Sequence, residues 1–132
     1  MSGSAAYLDT SAFLKLVMPE QESAALIEHL RQRPIRVSAG LLCTEALRAA
    51  GRASPARMAA VRRQLRGVVL IELDRSLLDR AGTLAPADLR SLDAIHIAAA
   101  LSIGTDLAEL VTYDARMAAA ARGQGLITIS PV

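Results

Sequence analysis

The chain has few of the residues on which several common functions depend. Only 2% of its 132 residues are aromatic and none is Trp, which argues against a nucleic-acid binder that stacks bases on aromatic side chains. The single cysteine, Cys43, excludes an internal disulfide and is typical of a reducing compartment. No apolar run approaches the roughly 18 residues of a membrane span, and no basic segment opens an N-terminal signal. We therefore expect a cytoplasmic protein.

Lysine is also scarce, since Lys15 is the only one among 15 basic residues. The net charge of +2 does not by itself indicate a partner. Six arginines crowd residues 45–66, where Glu45 is the only acid: Arg48, Arg52, Arg57, Arg62, Arg63 and Arg66. This central arginine cluster is either a basic face for a phosphate backbone or a set of ordinary solvated helix faces.

Hydrophobic residues are plentiful, at 52%, and predict a single folded domain over residues 1–132. Strand-like and helix-like segments alternate throughout, which predicts an α/β fold with a parallel sheet covered on both faces. We predict strands at residues 5–9, 35–37, 68–73, 109–112 and 126–129. We predict helices at residues 10–17, 20–33, 38–50, 54–65, 74–84, 88–103 and 114–122. The predicted capping residues include Ser38, Ser54, Asp74 and Asp88.

Two acids follow directly on predicted strands. Asp9 ends the first apolar run, and Asp114 comes just after the strand at residues 109–112. Each could simply cap the helix that follows. The carboxyl ends of parallel strands share one edge of the sheet, and ligands bind at that edge in open α/β folds. The sequence therefore also predicts that Asp9 and Asp114 meet there.

Two further acids lie within predicted helices among apolar neighbours. Glu45 has apolar residues one turn to either side, although an ion pair with Arg48 is the alternative interpretation. Asp93 shares a helix face with Leu89 and Ile97, where an ionised carboxylate is costly unless something pairs with it. Both side chains are placed to reach the edge of the sheet where the strand-end acids lie.

A cluster of four carboxylates needs a partner. At 4 Å and an effective dielectric near 20, each pair repels by about 4 kcal/mol. Such a cluster persists when a hard cation occupies it, and all-oxygen ligands suit Mg²⁺ or Mn²⁺. A cation held in this way can activate water and neutralise phosphate oxygens, so the pattern indicates phosphoryl chemistry.

The segments that contain the four acids resemble the PIN-domain ribonucleases and, more narrowly, the VapC toxins of bacterial toxin–antitoxin pairs. The segments are Leu8-Asp9-Thr10-Ser11-Ala12, Thr44-Glu45-Ala46-Leu47, Leu92-Asp93-Ala94-Ile95-His96-Ile97-Ala98 and Thr112-Tyr113-Asp114. The resemblance spans nearly the whole chain, except for residues 51–67.

This resemblance implies a three-layer α/β/α fold with a five-stranded parallel sheet, in which the first and fourth strands are neighbours. It implies a Mg²⁺-dependent endoribonuclease that forms a homodimer and is inhibited by a small VapB-type antitoxin. An apolar segment of that antitoxin is expected to cover the aliphatic stretches at residues 12–17 and 24–30.

The resemblance also implies roles for individual residues. The acidic quartet by this pattern is Asp9, Glu45, Asp93 and Asp114. All four belong to the metal site; the three aspartates mainly hold the metal, and Glu45 orients or deprotonates the attacking water. The supporting hydroxyls by the same pattern are Thr10, Ser11 and Thr112.

The main alternative is a catalytically inactive PIN-fold module that binds RNA or protein, although such a binder gains nothing from a costly acid cluster. A haloacid-dehalogenase phosphatase requires Asp-x-Asp after its first strand, and Ser11 occupies the second position. A histidine-based ribonuclease requires an acid–base pair. We expect His29 to be a solvated helix residue and His96 to be a satisfied core histidine or a support for the acids.

Overall fold

Strands and helices alternate along the chain in the computed structural model, which describes residues 3–132. The strands are β1 (Ala5–Leu8), β2 (Ile35–Ala39), β3 (Val68–Ile71), β4 (Leu107–Val111) and β5 (Thr128–Ile129). The helices are α1 (Thr10–Val17), α2 (Ser23–Leu30), α3 (Leu41–Gly51), α4 (Pro55–Leu65), α5 (Arg75–Gly82), α6 (Ser91–Ser102) and α7 (Ala115–Gly123). The strands form one parallel sheet in the order β3-β2-β1-β4-β5, which confirms the expected fold class.

Strand β1 lies at the centre of the sheet and is buried along its whole length. Tyr7 packs into a core cluster formed mainly with α5, α6 and α7, whereas Ala6 and Leu8 pack into a cluster with α1 and α2. Successive side chains of a strand point to opposite faces, so helices must cover both sides of the sheet. The three layers expected from the sequence follow from this packing.

The register between β1 and β4 determines which residues meet at the edge of the sheet. Leu8 pairs with Val111, and the backbone N–H of Asp9 donates to the carbonyl of Val111 at 3.3 Å. The residues that follow the two strands, Asp9 and Thr112, are therefore neighbours. Any acid or hydroxyl at these positions is held close to the other by the sheet itself.

Helix α6 is a core helix that brings two polar side chains to the same edge. Four of its alanines are buried together with Ile97, because small side chains let the helix pack closely on its neighbours. Asp93 lies in the first turn of this helix and His96 lies one turn later. The close packing of α6 thus fixes where both side chains stand.

Two predicted caps are wrong. Ser38 belongs to β2, where its hydroxyl donates to the carbonyl of Leu8 at 2.7 Å across the sheet, and α3 begins after Gly40 instead. Asp88 caps no helix, because α6 begins only after Arg90. A short polar side chain can bond a distant backbone group as well as its own, and the sequence does not distinguish the two. The caps at Ser54 and Asp74 are confirmed.

The environment of His29 also differs from the prediction. Its Nε2 bonds Oε2 of Glu109, a buried acid on β4, so His29 is not simply a solvated residue. Arg33 approaches the other oxygen of Glu109, with 3.3 Å between Nε and Oε1. Glu109 therefore has two polar partners, His29 on α2 and Arg33 just after it. A buried carboxylate requires such partners.

The aliphatic stretches that suggested an antitoxin surface mostly face the core. Ala12, Phe13 and Val17 of α1 are buried, as are Leu26 and Leu30 of α2. The exposed large hydrophobic residues lie elsewhere for the most part: Ile27, Ile35, Val69, Leu70, Leu78, Leu92, Ile127 and Val132. Over residues 3–132, no helix has the length and apolar character needed to cross a membrane.

Candidate active site

Asp9 is the most enclosed acid of the predicted quartet, with 3% of its surface exposed. Its Oδ2 accepts a hydrogen bond from the Thr112 hydroxyl at 2.5 Å, and its Oδ1 accepts one from the Ser11 hydroxyl at 2.7 Å. Oδ1 also accepts from the backbone N–H of Ala12 at 2.9 Å and so caps α1. The capping role and the position at the sheet edge are therefore both fulfilled by the same carboxylate.

Thr112 connects the two strand-end acids. While its hydroxyl donates to Asp9, its oxygen accepts the backbone N–H of Asp114 at 3.0 Å. Asp114 in turn caps α7, because its Oδ1 accepts from the N–H groups of Arg116 and Met117. The structure thus brings Asp9 and Asp114 to one edge and fixes both through a hydroxyl that the sequence had singled out.

Glu45 is half-buried on α3 and does not bond Arg48. Its Oε1 accepts from the Thr10 hydroxyl at 2.5 Å and lies 3.0 Å from Nε2 of His96. Burial alone would raise the pKa of Glu45, but the hydrogen bonds from His96 and Thr10 outweigh it and hold that pKa below its ordinary value. Glu45 is therefore an ionised carboxylate whose orientation two neighbours determine.

The pKa of Asp9 is shifted in the opposite direction to that of Glu45. Burial raises the pKa of Asp9, although the hydrogen bonds from Thr112, Ser11 and Ala12 oppose the shift. A carboxylate that is difficult to ionise when buried gains from a nearby cation. The two acids thus differ in the balance of these effects: hydrogen bonds outweigh burial at Glu45, whereas at Asp9 three hydrogen bonds leave part of the desolvation penalty uncompensated.

Asp93 and Asp114 share one cation, which is the side chain of Arg90. The Nε of Arg90 donates to Oδ2 of Asp93 at 2.9 Å, and its second terminal nitrogen donates to Oδ2 of Asp114 at 2.9 Å. The Arg90 side chain is 60% exposed, whereas those of Asp93 and Asp114 are 14% and 27% exposed. An exposed cation therefore stands between two partly enclosed carboxylates.

Two cavities open beside these acids. One of ≈ 300 Å³ is lined by Glu45, Arg90, Ser91, Leu92 and Asp93, so that Glu45 and Asp93 share one opening. The other, of ≈ 430 Å³, is also lined by Asp93 and has Arg116 and apolar residues of α7 in its wall. Both volumes fall in the usual range of ligand pockets, so a substrate has room to approach the acids.

The donor set has the chemistry of a hard-cation site, because carboxylate and hydroxyl oxygens are what Mg²⁺ and Mn²⁺ prefer. As the side chains stand within residues 3–132, no three His, Cys, Asp or Glu residues lie close enough to hold an ion together. The guanidinium of Arg90 lies between Asp93 and Asp114 and bonds both. The types of donor, rather than their present spacing, are therefore what fits such an ion.

The sequence did not single out Arg90 or Tyr7. Arg90 precedes Asp93 by three residues at a helix start, and this spacing is the one signal that could have indicated a pair. Tyr7 bonds Nδ1 of His96 through its hydroxyl at 2.7 Å, and burial raises the pKa of that phenol. His96 is 2% exposed, in agreement with a satisfied core histidine that supports the acids.

Comparison with known proteins identifies the family. The model of the PIN domain matches residues 6–123 of the chain. Ribonuclease VapC46 of Mycobacterium tuberculosis (strain ATCC 25618 / H37Rv) is 46% identical over 127 residues, which cover 96% of this chain and 98% of the relative. Ribonuclease VapC47 of Mycobacterium tuberculosis (strain CDC 1551 / Oshkosh) is 37% identical over 130 residues, which cover 95% and 96%.

Solved structures show the same fold at lower identity. A toxin–antitoxin complex from Klebsiella pneumoniae has a TM-score of 0.75 at 20% identity and covers 96% of this chain and 98% of its own. Mycobacterium tuberculosis VapC20, a toxin that cleaves the sarcin–ricin loop, has a TM-score of 0.74 at 18% identity and covers 96% and 99%. The family model, the relatives and the fold agree, and the chain belongs to the PIN-domain family, among the VapC ribonucleases.

Proposed function

We propose that this protein is a Mg²⁺- or Mn²⁺-dependent endoribonuclease toxin of the VapC type, which hydrolyses RNA phosphodiester bonds. Dependence on a divalent metal is general among PIN-domain ribonucleases of this type. In this chain Asp9, Asp93 and Asp114 would hold the ion, directly or through water, with Glu45 completing the site. When bound, the ion supplies positive charge to the phosphate oxygens and activates a water.

The other steps of the reaction depend on side chains of the chain itself. Glu45, ionised and aligned by Thr10, accepts a proton from the attacking water or orients it. Ser11 and Thr112 hold the two oxygens of Asp9 in place. The side chain of Arg90 would have to move away from Asp93 and Asp114 for these acids to hold an ion, and its charge would then be available to an RNA phosphate.

One observation carries this proposal. The hydroxyl of Thr112 donates to Asp9 and accepts the N–H of Asp114, so two acids from neighbouring parallel strands are fixed at the edge where α/β folds bind ligands. Neither cap needs this connection, because each helix is capped by the acid that precedes it. A site for a cation explains why the two are joined.

The test is RNA cleavage by the full chain with Mg²⁺, with Mn²⁺ and with EDTA, followed by analysis of the product ends. We expect cleavage only with metal, and 5′-phosphate and 3′-hydroxyl ends, because water is the nucleophile. Replacement of any one acid by its amide (Asp9→Asn, Glu45→Gln, Asp93→Asn or Asp114→Asn) should lower the rate by roughly 100-fold or more. Asp79→Asn, at an exposed acid on α5, is the matched control. Full activity in EDTA, or 2′,3′-cyclic phosphate ends, would refute the mechanism.

A catalytically inactive PIN-fold module that binds RNA or protein is the second candidate, and the Arg90 bridge is the observation in its favour. Asp93 and Asp114 already share the positive charge of that guanidinium, so a metal is not the only cation that can hold them together. The two functions differ in turnover. RNA that is bound but left intact with every divalent ion tested would support the module and exclude the ribonuclease.

We also propose a small VapB-type antitoxin as the inhibitor, a homodimer as the working form, a single PIN domain over residues 1–132 and a cytoplasmic location. The acidic edge of the sheet supports the antitoxin proposal, because a basic side chain of the antitoxin would replace Arg90 between Asp93 and Asp114. Co-expression with a VapB-type antitoxin should restore host growth and yield a stable complex. Harmless expression of the chain alone would contradict the toxin assignment.

A further inference from the structure

A chain of buried polar contacts leads from the core to Glu45. Tyr7, which is fully buried on β1, has its hydroxyl 2.7 Å from Nδ1 of His96. On the opposite side of the same ring, Nε2 of His96 lies 3.0 Å from Oε1 of Glu45 and 3.2 Å from the Thr10 hydroxyl. The ring stands edge-on to Tyr7, at a centroid distance of 5.7 Å and an interplanar angle of 79°.

The hydrogen bonds determine which nitrogen carries the proton. An ionised carboxylate only accepts hydrogen bonds, so Nε2 must donate to Glu45. In the neutral ring Nδ1 then has a lone pair and accepts from the phenol of Tyr7. A phenol keeps its proton at neutral pH, since its ordinary pKa is about 10. Glu45 and Tyr7 therefore together select the tautomer in which Nε2–H of His96 points at Glu45, because Tyr7 supplies the donor that Nδ1 needs in that tautomer.

We propose that His96 is a positioning residue, which Tyr7 holds in one tautomer so that its Nε2–H fixes the carboxylate of Glu45 for the attacking water. The inference rests on the proposed function, in which Glu45 orients or deprotonates that water. With Oε1 of Glu45 held by His96 and Thr10, Oε2 is the oxygen left for the water. A base held by two donors cannot rotate away, and misplacement by about 1 Å can cost a rate roughly 100-fold.

A second histidine in the chain gives a matched control. His29 also bonds a glutamate through Nε2, but its partner is Glu109, which lies on β4 three residues before Thr112. His29→Leu removes a His–Glu contact as His96→Leu does, without touching the acids of the site. A loss of activity from general loosening of the fold would affect both variants, whereas a positioning role affects only His96.

Two experiments on the full chain test the proposal. The first measures kcat and KM for cleavage of a defined RNA in Mg²⁺. We expect His96→Leu to lower kcat roughly 100-fold with little change in KM, because the interaction matters in the transition state. His96→Gln keeps an N–H donor near the position of Nε2 and should recover activity to within roughly tenfold of the parent. Tyr7→Phe, which keeps the bulk of the ring, should lose less than His96→Leu.

The second experiment records the ¹⁵N shifts of the His96 ring in the metal-free protein. The parent should show the Nε2–H tautomer, and Tyr7→Phe should show a mixture of tautomers, which a packing role would not produce. A doubly protonated ring, or the same tautomer in both proteins, would overturn the proposal. So would equal losses of kcat in His29→Leu and His96→Leu.

The proposed function and the positioning role of His96 can be refuted separately. If Glu45→Gln cleaves RNA as fast as the parent, the role of Glu45 in the proposed function is wrong, and the positioning role falls with it. If Glu45→Gln is inactive while His96→Leu cleaves at the parental rate, the proposed function stands and only the positioning role is refuted. Melting curves for each variant identify a fold defect, in which case His96→Gln and Tyr7→Phe decide.

Discussion

Arg90 bonds two carboxylates that the proposed metal also requires, so the guanidinium and the ion compete for Asp93 and Asp114. We predict that Arg90→Gln binds Mn²⁺ more tightly than the parent, by roughly 3- to 10-fold, because two exposed ion pairs no longer oppose the ion. Titration calorimetry or Mn²⁺ resonance spectra without RNA measure this directly. Arg116→Gln is the control, since Arg116 lines the neighbouring cavity but contacts Asp114 only through its backbone. Unchanged or weaker binding in Arg90→Gln would contradict the competition.

Asp9 and Glu45 should change the stability of the metal-free protein with pH in opposite directions. Burial raises the pKa of Asp9, so the folded state holds its proton longer than the unfolded chain does. The parent then loses stability as pH rises from about 3.9 through the raised pKa of the folded state. For Glu45, whose pKa is lowered, the parent gains stability as pH rises from the folded pKa to about 4.3.

Two amide variants turn this into a measurement. Relative to the parent, Asp9→Asn should become more stable with rising pH, whereas Glu45→Gln should become less stable. Urea unfolding in EDTA at several values between about pH 3 and pH 7 gives both slopes. Because only the change with pH is compared, constant effects of each substitution cancel. Slopes of the same sign would mean that the environments of the two acids do not differ as described.

Among the secondary-structure elements, β1 and its neighbour β2 are joined by a side chain as well as by their backbone hydrogen bonds. The Ser38 hydroxyl on β2 donates to the buried carbonyl of Leu8 on β1. We predict that Ser38→Ala lowers the free energy of unfolding by about 1–3 kcal/mol, because a buried acceptor loses its donor. Thr83→Ala is the control, since Thr83 makes the same type of bond to Arg80 at an exposed position. Equal, near-zero effects in urea unfolding would show that the contact between the strands does not stabilise the sheet.

The elements also show which features a sequence reveals. The start of α4 was predictable because Ser54 followed by Pro55 is a local cap signal, and Asp74 before α5 is another. Ser38 and Asp88 misled the prediction because a short polar side chain is equally able to cap a helix or to bond elsewhere. The meeting of Asp9 with Asp114 followed from parallel strands alone.

The contact of Arg90 with Asp114, and that of Tyr7 with His96, could not be predicted in the same way. Tyr7 and His96 are 89 positions apart, and Arg90 and Asp114 are 24 positions apart, so no local pattern relates them. Each side chain has several partners that chemistry would allow. Only the packing of α6 against the sheet selects one of them.

For the molecule as a whole, metal binding and folding should be linked. An ion that binds only the folded state stabilises it, by about 2.7 kcal/mol when its concentration is 100 times the dissociation constant. We predict that millimolar Mg²⁺ raises the Tm of the parent and raises that of Asp9→Asn much less. Melting curves in EDTA and in Mg²⁺ test this, with Asp79→Asn expected to respond like the parent. Equal shifts in all three proteins would place the ion away from Asp9.

The parallel pairing of β1 with β4 also has a consequence for protein synthesis. Asp9 and Thr112 bond each other across 103 positions of the chain. A ribosome that adds about 5–20 residues per second needs roughly 5–20 s to pass from one to the other. Until then a nascent chain carries Asp9 without the strand that completes its surroundings, so we expect no nuclease activity from incomplete chains. A cell that makes this protein therefore has an interval during translation in which an inhibitor already present can find the chain before it becomes harmful.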